Sequence, residues 1–348
     1  MENSCCHDEE ASKPKRSWYF KSFSLITYAI LAGLLISLFW EPMIVFRHTV
    51  IIYGRILILP VILGFVLGGV IDRYIPGEYI SKNLSQDRWQ TILNAAGLGF
   101  LMSSCNHGIL ALTMALHKKG ASSPALVTFL LASPWANLTM TFLLVSFFGW
   151  RGVLIILLAL LVAILTGFIF LFLERRGLIE MNKHTLEIDQ SFSIREHLKN
   201  RFQIKKWNAA TVRDDVKAVW KGGLGLVDMV LPWVLLGVLL AGLAAAFIPQ
   251  NIFQNYLGPT WLGLMVTLAS ATVLEVCSEG TSPLALELYR QTGALGNAFV
   301  FLMAGVVTDY TEIGLIWKNV GRKTALWMLA VSLPQDILLG WLLNRAGI

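Results

Sequence analysis

Two short segments of the chain place a cysteine beside other polar side chains in the middle of an apolar run. Thiolate and imidazole ligands select soft or borderline metal ions, whereas carboxylates can bind protons or hard cations. A site built from both segments would therefore be soft and ionisable. The residues concerned are Cys105, Asn106 and His107 in the first segment, and Glu275, Cys277, Ser278 and Glu279 in the second.

The two segments are equivalent positions of an internal repeat. A shift of the chain by 172 residues places Cys105 on Cys277 and Asn137 on Asp309. The same ungapped shift aligns further identical residues, which a leucine-rich background alone would not produce. These include Gly108 with Gly280, Phe129-Leu130 with Phe301-Leu302, Thr139 with Thr311, and Leu59-Pro60 with Leu231-Pro232. The sequence therefore predicts a first repeat over about 50–148 and a second over about 224–317.

The elements that position these residues must be membrane helices. Of the 348 residues, 55% are hydrophobic and 14% are charged, against about 25% charged in soluble domains. This composition excludes soluble enzymes and makes membrane lipid the expected surrounding. Because Lys and Arg lie beside the apolar runs, where they set the topology, we expect no nucleic-acid partner. We predict an all-α polytopic membrane protein. The apolar runs are 23–41, 50–71, 91–117, 124–148, 152–173, 224–248, 263–289, 297–317 and 324–343.

Three of the runs are interrupted by residues that disfavour a straight helix. Run 91–117 contains Gly, Asn and Ser around Cys105, and run 263–289 contains Glu, Ser and Gly around Cys277. Run 124–148 is broken between Ser133 and Asn137. Irregular backbone at membrane depth is tolerated only where it is buried in protein or lines a wet cavity. We therefore expect broken or re-entrant helices from the two repeats to meet at the midplane.

The charge distribution orients the chain, because Lys and Arg next to spans favour the cytoplasmic side. Basic residues precede the first span, and 175–222 holds 11 Lys or Arg against six Asp or Glu, so both segments should be cytoplasmic. An even number of membrane crossings must then separate the N-terminus from 175–222, although five apolar runs lie between these two segments. If 91–117 is a re-entrant hairpin, four crossings remain and the second repeat is inverted. In the alternative, nine full spans form parallel repeats and the basic stretch lies outside.

These considerations predict the organisation of the chain. It comprises a polar cytoplasmic N-terminus (1–22), a first membrane half (23–174), a basic cytoplasmic linker (175–222) and a second membrane half (223–348).

Inverted repeats with discontinuous helices are a common build for secondary transporters, whose solute site lies where the repeats meet. Ionisable groups inside a membrane usually mark ion paths. The expected coupling carboxylates are Glu275, Glu279 and Asp309, whereas Glu287 is predicted nearer the outer end of its helix, where its substitution should matter little. Cys105, His107 and Cys277 are the candidate metal ligands. The expected solute-binding residues are Cys105, Asn106, His107, Asn137, Cys277, Ser278, Glu279 and Asp309.

The motifs resemble those of bacterial permeases of the organoarsenical-efflux type, the YraQ-like family. The resemblance is carried by the Cys105 segment, by Lys119-Gly120-Ala121-Ser122 and by Phe129 to Pro134, and in the second half by Cys277 and Phe301 to Gly305. It spans about 50–343 and implies a multi-pass inner-membrane permease, some relatives of which export trivalent organoarsenicals or metal ions. Many relatives show Cys-x-Cys in the first motif, whereas His107 takes the second position here.

The expected function is a secondary permease, not an enzyme, that exports a soft metal ion or a trivalent arsenical and needs no cofactor. The sequence contains no phosphate-binding G-x-x-x-x-G-K-[ST] motif, which favours secondary or passive transport. A homodimer is a further expectation. An intramembrane thiol or redox protein and a permease for a different small solute are the alternatives.

Overall fold

The protein is built from helices. The computed structural model describes residues 16–74, 84, 89–99, 106–118, 120–182, 209–274 and 277–347, and this part of the chain contains fourteen helices and no strand. The predicted all-α class is therefore confirmed. The helices are α1 (Arg16–Ile36), α2 (Met43–Tyr74), α3 (Trp89–Gly99), α4 (Asn106–Lys118), α5 (Ser123–Ala136), α6 (Leu138–Phe148), α7 (Trp150–Arg175), α8 (Ala209–Phe247), α9 (Gln250–Leu257), α10 (Trp261–Leu274), α11 (Ser278–Thr292), α12 (Leu295–Val307), α13 (Tyr310–Asn319) and α14 (Arg322–Ala346).

Several of these helices can cross a membrane. Five segments in the described residues are long and apolar enough, namely 43–67, 150–175, 215–247, 295–319 and 322–346. Two bent pairs add candidates, because α5 and α6 meet at 51° and α9 and α10 meet at 104°. The apolar part of α1, Phe23–Ile36, is shorter than a full span.

The helix boundaries follow the 172-residue offset. Helices α3 to α7 start at residues 89, 106, 123, 138 and 150, and α10 to α14 start at 261, 278, 295, 310 and 322. The long helices α2 and α8 each contain an internal proline, Pro60 and Pro232, at equivalent positions. The helices that begin at Asn106 and Ser278 are the returning arms after the cysteine segments. The interruptions expected in runs 124–148 and 263–289 are therefore present, whereas the one expected in run 91–117 falls at 100–105, outside the described residues.

The equivalent helices α2 and α8 pack against each other in opposite directions. A Cβ atom added at Gly69, near the end of α2, would lie 2.3 Å from the carbonyl oxygen of Val219, in the first third of α8. A Cβ atom added at Gly242, near the end of α8, would lie 2.8 Å from the ring of Phe46 at the start of α2. Close contacts are thus made near both ends of the pair, the end of each helix against the beginning of the other. This antiparallel packing is what an inverted repeat requires.

One end of the bundle, here called the linker end, comprises residues 117–122, 180–182 and 321–324. The Asn182 side chain donates hydrogen bonds to the carbonyl oxygens of His117 and Ala121, at 2.7 and 2.8 Å. The Glu180 carboxylate accepts hydrogen bonds from the backbone N–H groups of Lys323 and Thr324, at 3.0 and 2.9 Å. The chain leaving α7 therefore joins the end of α4 to the start of α14.

The opposite end, here called the far end, comprises residues 257–260, 290–297 and 344. Asn297 organises it, because its Nδ2 donates to the carbonyl oxygens of Leu257 and Gly258, at 2.8 and 3.0 Å, and to Thr267 Oγ1 at 3.1 Å. Its Oδ1 accepts a hydrogen bond of 2.6 Å from Asn344. The turn before α10, the start of α12 and the end of α14 are held together there.

The two cysteine hairpins enter the bundle from opposite ends. Ser122 N–H donates to the Leu84 carbonyl at 3.0 Å, so the chain just before α3 lies at the linker end, where α4 also finishes. Helix α10 begins at the far end, and α11 returns there before α12. The inverted repeat and the re-entrant interpretation of 91–117 stay predictions. The orientation of the halves across a membrane, and the linker boundaries, stay predictions; residues 183–208 of the linker lie outside the described part, and 209–222 belong to α8.

Candidate functional site

The start of α11 forms a buried polar turn inside the bundle. Cys277 precedes the helix and is 6% exposed, and Ser278 and Glu279 are 1% and 2% exposed. Ser278 Oγ donates to a Glu279 carboxylate oxygen at 3.0 Å. The N–H groups of a first helical turn have no partner within the helix and carry a partial positive charge. A thiol, a hydroxyl and a carboxylate thus surround a polar helix end at a buried position.

Glycine positions this turn against α8. A Cβ atom added at Gly237 would lie only 2.1 Å from the carbonyl oxygen of Gly280, so the two backbones touch where no larger residue fits. The hydroxyls of Thr281 and Ser282 donate to the Ser278 carbonyl, at 3.0 and 2.8 Å. These contacts help to fix the helix start, because they give two buried hydroxyl groups a backbone acceptor.

The start of α6 comes from the other half of the chain and meets the same region. Asn137 is buried, its Oδ1 accepts a hydrogen bond of 2.6 Å from Met140 N–H, and its Nδ2 donates to the Pro134 carbonyl at 3.1 Å. The amide thereby caps α6 and holds the 51° bend. Ser282 Oγ lies 3.5 Å from Met140 Sδ, within the range of a weak hydrogen bond to sulfur. The predicted Asn137 and the Cys277 segment are therefore brought close together.

The start of α13 is the equivalent break of the second half. Asp309 Oδ1 accepts hydrogen bonds from Thr311 and Glu312 N–H, at 2.7 and 3.2 Å, and so caps this helix. The preceding Thr308 shares a 3.1 Å hydrogen bond with Thr272 in the last turn of α10. The predicted Asp309 therefore lies beside the arm of the hairpin that leads to Cys277.

The remaining predicted site residues lie beyond what the structure describes. Cys105 and Glu275 are outside the described residues, and Asn106 and His107 begin α4 without described side chains. Among the described residues, no three of His, Cys, Asp and Glu lie together in a way that could hold a metal ion. A metal site at Cys277 would need Cys105 and His107, and it stays a prediction.

The surroundings of Glu287 were not predicted. Glu287 lies toward the far end of α11, as expected, and it is buried, with 3% exposure. Its carboxylate accepts hydrogen bonds from Tyr53 of α2 and, at 2.7 Å, from Gln291, and lies 3.8 Å from Arg290. It also lines a cavity of about 420 Å³ between α8 and α12. The contact with Tyr53 joins residues 234 apart in the chain, so spacing along the sequence does not reveal it.

Glu312 is a second residue that the sequence reasoning missed. It follows Asp309 by three residues, and an Asp followed by Glu at that spacing is typical of a helix start. Its side chain is 1% exposed, and neither carboxylate oxygen has a hydrogen-bond partner in the described part of the chain. The spacing signal could have marked the helix start within run 297–317, although not the burial.

Comparison with known proteins gives a consistent assignment. The model of the ArsP_1 family, described as predicted permeases, matches residues 46–344. The protein Rv2963 of Mycobacterium tuberculosis is 25% identical over 280 residues, covering 75% of this chain and 67% of the relative. The UPF0718 protein YcgR of Bacillus subtilis is 23% identical over 296 residues, covering 82% and 92%.

A further relative is the UPF0718 protein MJ0584 of Methanocaldococcus jannaschii, which is 21% identical over 339 residues, covering 82% of this chain and 91% of the relative. No solved structure matches the chain. Because the family model covers nearly all the membrane part, the chain belongs to the ArsP_1 family of predicted permeases, multi-pass membrane transporters.

Proposed function

We propose that this permease is a secondary transporter of the inner membrane that exports a soft metal ion or a trivalent organoarsenical. The observation that carries the proposal is the buried start of α11, which holds Cys277, Ser278 and Glu279 and whose Ser282 contacts Met140 in the first turn of α6 from the other half. Half-helix starts inside a bundle are typical solute sites of secondary transporters.

The ligand chemistry of the site supports a soft solute. Cys277 supplies one thiol, and the repeat predicts that Cys105 and His107 occupy the equivalent turn at the start of α4. Two thiols and an imidazole form a soft donor set. Glu275, Glu279 and Asp309 remain our candidates for carboxylates that couple transport to an ion gradient.

The orientation of the halves supports alternating access. The hairpin of α3 and α4 enters from the linker end and the hairpin of α10 and α11 enters from the far end. Movement of one hairpin against the bundle would open the shared site to one face, and movement of the other would open it to the opposite face. We propose the linker end as the cytoplasmic face.

The test is solute flux in proteoliposomes that contain the purified full-length protein. Zn²⁺, Cu⁺ and phenylarsine oxide are offered separately to the wild type, to Cys105→Ser/Cys277→Ser and to the control Cys5→Ser/Cys6→Ser. We expect at least one probe to be transported, the first variant to lose this flux, and the control to retain it. Wild-type flux in the first variant would overturn the thiol site. A wild type that moves none of the three would overturn the solute class.

A further inference from the structure

Two buried carboxylates in the second half have no bonding partner in the described structure. They are Glu312 on α13, with 1% exposure, and Asp336 on α14, with 0% exposure. An ionised carboxylate without a partner in an apolar interior is very costly, so such a group is expected to be neutral and to carry a proton. Only Glu312 lies in the first turn after a helix break.

Glu312 does not perform the structural task that its position suggests. In a capping box the glutamate at the third helical position bonds back to the backbone N–H of the capping residue. Here Asp309 caps the helix by accepting the N–H of Glu312, but the Glu312 carboxylate makes no return bond. The helix start is therefore secured without this carboxylate, which is left available for another role.

The face of α13 that carries Glu312 is buried. Ile316, one turn further on the same face, belongs to the apolar cluster that includes Leu110 and Leu116 of α4. In the repeat, Glu312 corresponds to Met140, which contacts Ser282 in the first turns of α11. The repeat therefore predicts that Glu312 lies near Leu110, in the first turns after the Cys105 segment.

The charged surroundings of Glu312 are sparse. Asp309 is the acidic neighbour at the start of its own helix, and its negative charge disfavours a second negative charge nearby. The other ionisable side chains of α13 are the exposed Tyr310 and Lys318. Helices α10 and α12 carry no ionisable side chain. The ionisable side chains of α14, which packs against α13, are the exposed Arg322, Lys323 and Arg345 and the buried Asp336, and those of α4 are His107, His117 and Lys118.

We propose that Glu312 is the proton-binding site of the transport cycle. In the structure described here the buried carboxylic acid holds one proton; when water reaches the site, that proton leaves for the face that has opened and the carboxylate becomes charged. This inference rests on the proposed function for its place in a cycle. It differs from the sequence-based coupling residues, since Asp309 caps α13 and Glu279 accepts a bond from Ser278.

The first test needs no solute. Infrared difference spectra of the reconstituted full-length protein are recorded between acidic and alkaline buffer, and the carbonyl band of protonated carboxylic acids is followed. We expect the wild type to lose a band as the pH rises, Glu312→Gln to lack that band, and Asp336→Asn to retain it. An identical titrating band in Glu312→Gln, or a Glu312 band that persists at alkaline pH, would overturn the proposal.

The second test measures protons released per solute bound. A pH dye in weakly buffered solution reports release on addition of phenylarsine oxide or Zn²⁺, at fixed protein concentration. Glu312→Gln should release one proton fewer than the wild type, and Asp336→Asn should release as many as the wild type. Glu312→Met, which installs the residue of the equivalent first-half position, separates packing from protonation: a wild-type proton count in this folded variant would overturn the proposal.

The two tests separate this inference from the proposed function. If the wild type moves none of the three probes, the solute class is wrong, while the infrared band still decides whether Glu312 exchanges a proton. If a probe is transported but Glu312 carries no exchangeable proton, the proton site is wrong and the permease proposal stands.

Discussion

The contact between Gly237 and the start of α11 makes a quantitative prediction. An alanine at 237 would place its Cβ 2.1 Å from the Gly280 carbonyl oxygen, whereas real Cβ atoms essentially never approach within 3.0 Å, so the backbones must separate by about 0.9 Å (3.0 minus 2.1). Overpacking of this kind costs roughly 1–3 kcal/mol. If the strain falls on the helix start, solute binding weakens by roughly 5- to 150-fold, at about tenfold per 1.4 kcal/mol.

Gly225→Ala is the matched control, because it lies on the same helix, is exposed, and has nothing within 4 Å of an added Cβ. This change should be neutral or stabilise the helix by up to about 1 kcal/mol through helix propensity. Phenylarsine oxide binding and thermal unfolding are measured for both variants in the same detergent. Wild-type affinity and stability in a folded Gly237→Ala protein would refute the claim that this contact positions the site.

Two further predictions concern the ends of the bundle. Asn297→Ala should lower the free energy of unfolding by about 2–4 kcal/mol, because it leaves buried polar groups at the far end without partners; the exposed Asn251→Ala is the control, and equal melting curves for the two would contradict this. At the linker end, burial raises the pKa of Glu180, but hydrogen bonds from Lys323 and Thr324 N–H outweigh it and lower the pKa below 4.5. The stabilisation that ionised Glu180 contributes should be complete above pH 4.5 and be lost as the pH falls through its folded-state pKa. Glu180→Gln should therefore flatten the dependence of the free energy of unfolding on pH over that range. An unchanged loss of stability at acidic pH in this variant would show that the carboxylate contributes nothing.

Much of the fold could be predicted from the sequence, because the breaks are local. Gly, Ser and Asn inside apolar runs do not continue a membrane helix, and their recurrence after 172 residues marks both cysteine hairpins. The break at Asp309 was not predicted, since run 297–317 is apolar on both sides of it. The 104° turn between α9 and α10 was not predicted either, because Asn297 holds it from 37 residues beyond its end.

The candidate site could be predicted only in its residue types. The repeat pairs Asn137 with Asp309, and both cap a broken helix, as their side chains allow. The roles of Glu287 and Glu312 depend on tertiary packing: Tyr53 reaches the first from another helix, and no side chain reaches the second in the described structure. Asn297 has Ala125 as its repeat equivalent, so the repeat does not point to it.

The central claim is that two oppositely oriented hairpins form the site, and labelling from each side of the membrane tests it most directly. Lys118 ends α4 at the linker end and Arg290 lies in the last turn of α11 at the far end, and both side chains are exposed. Each is replaced by cysteine in a protein without its native thiols, and a membrane-impermeant maleimide is added to sealed right-side-out or inverted vesicles. The account predicts modification at 118 only from the cytoplasmic face and at 290 only from the opposite face. Modification of both positions from the same face would contradict it.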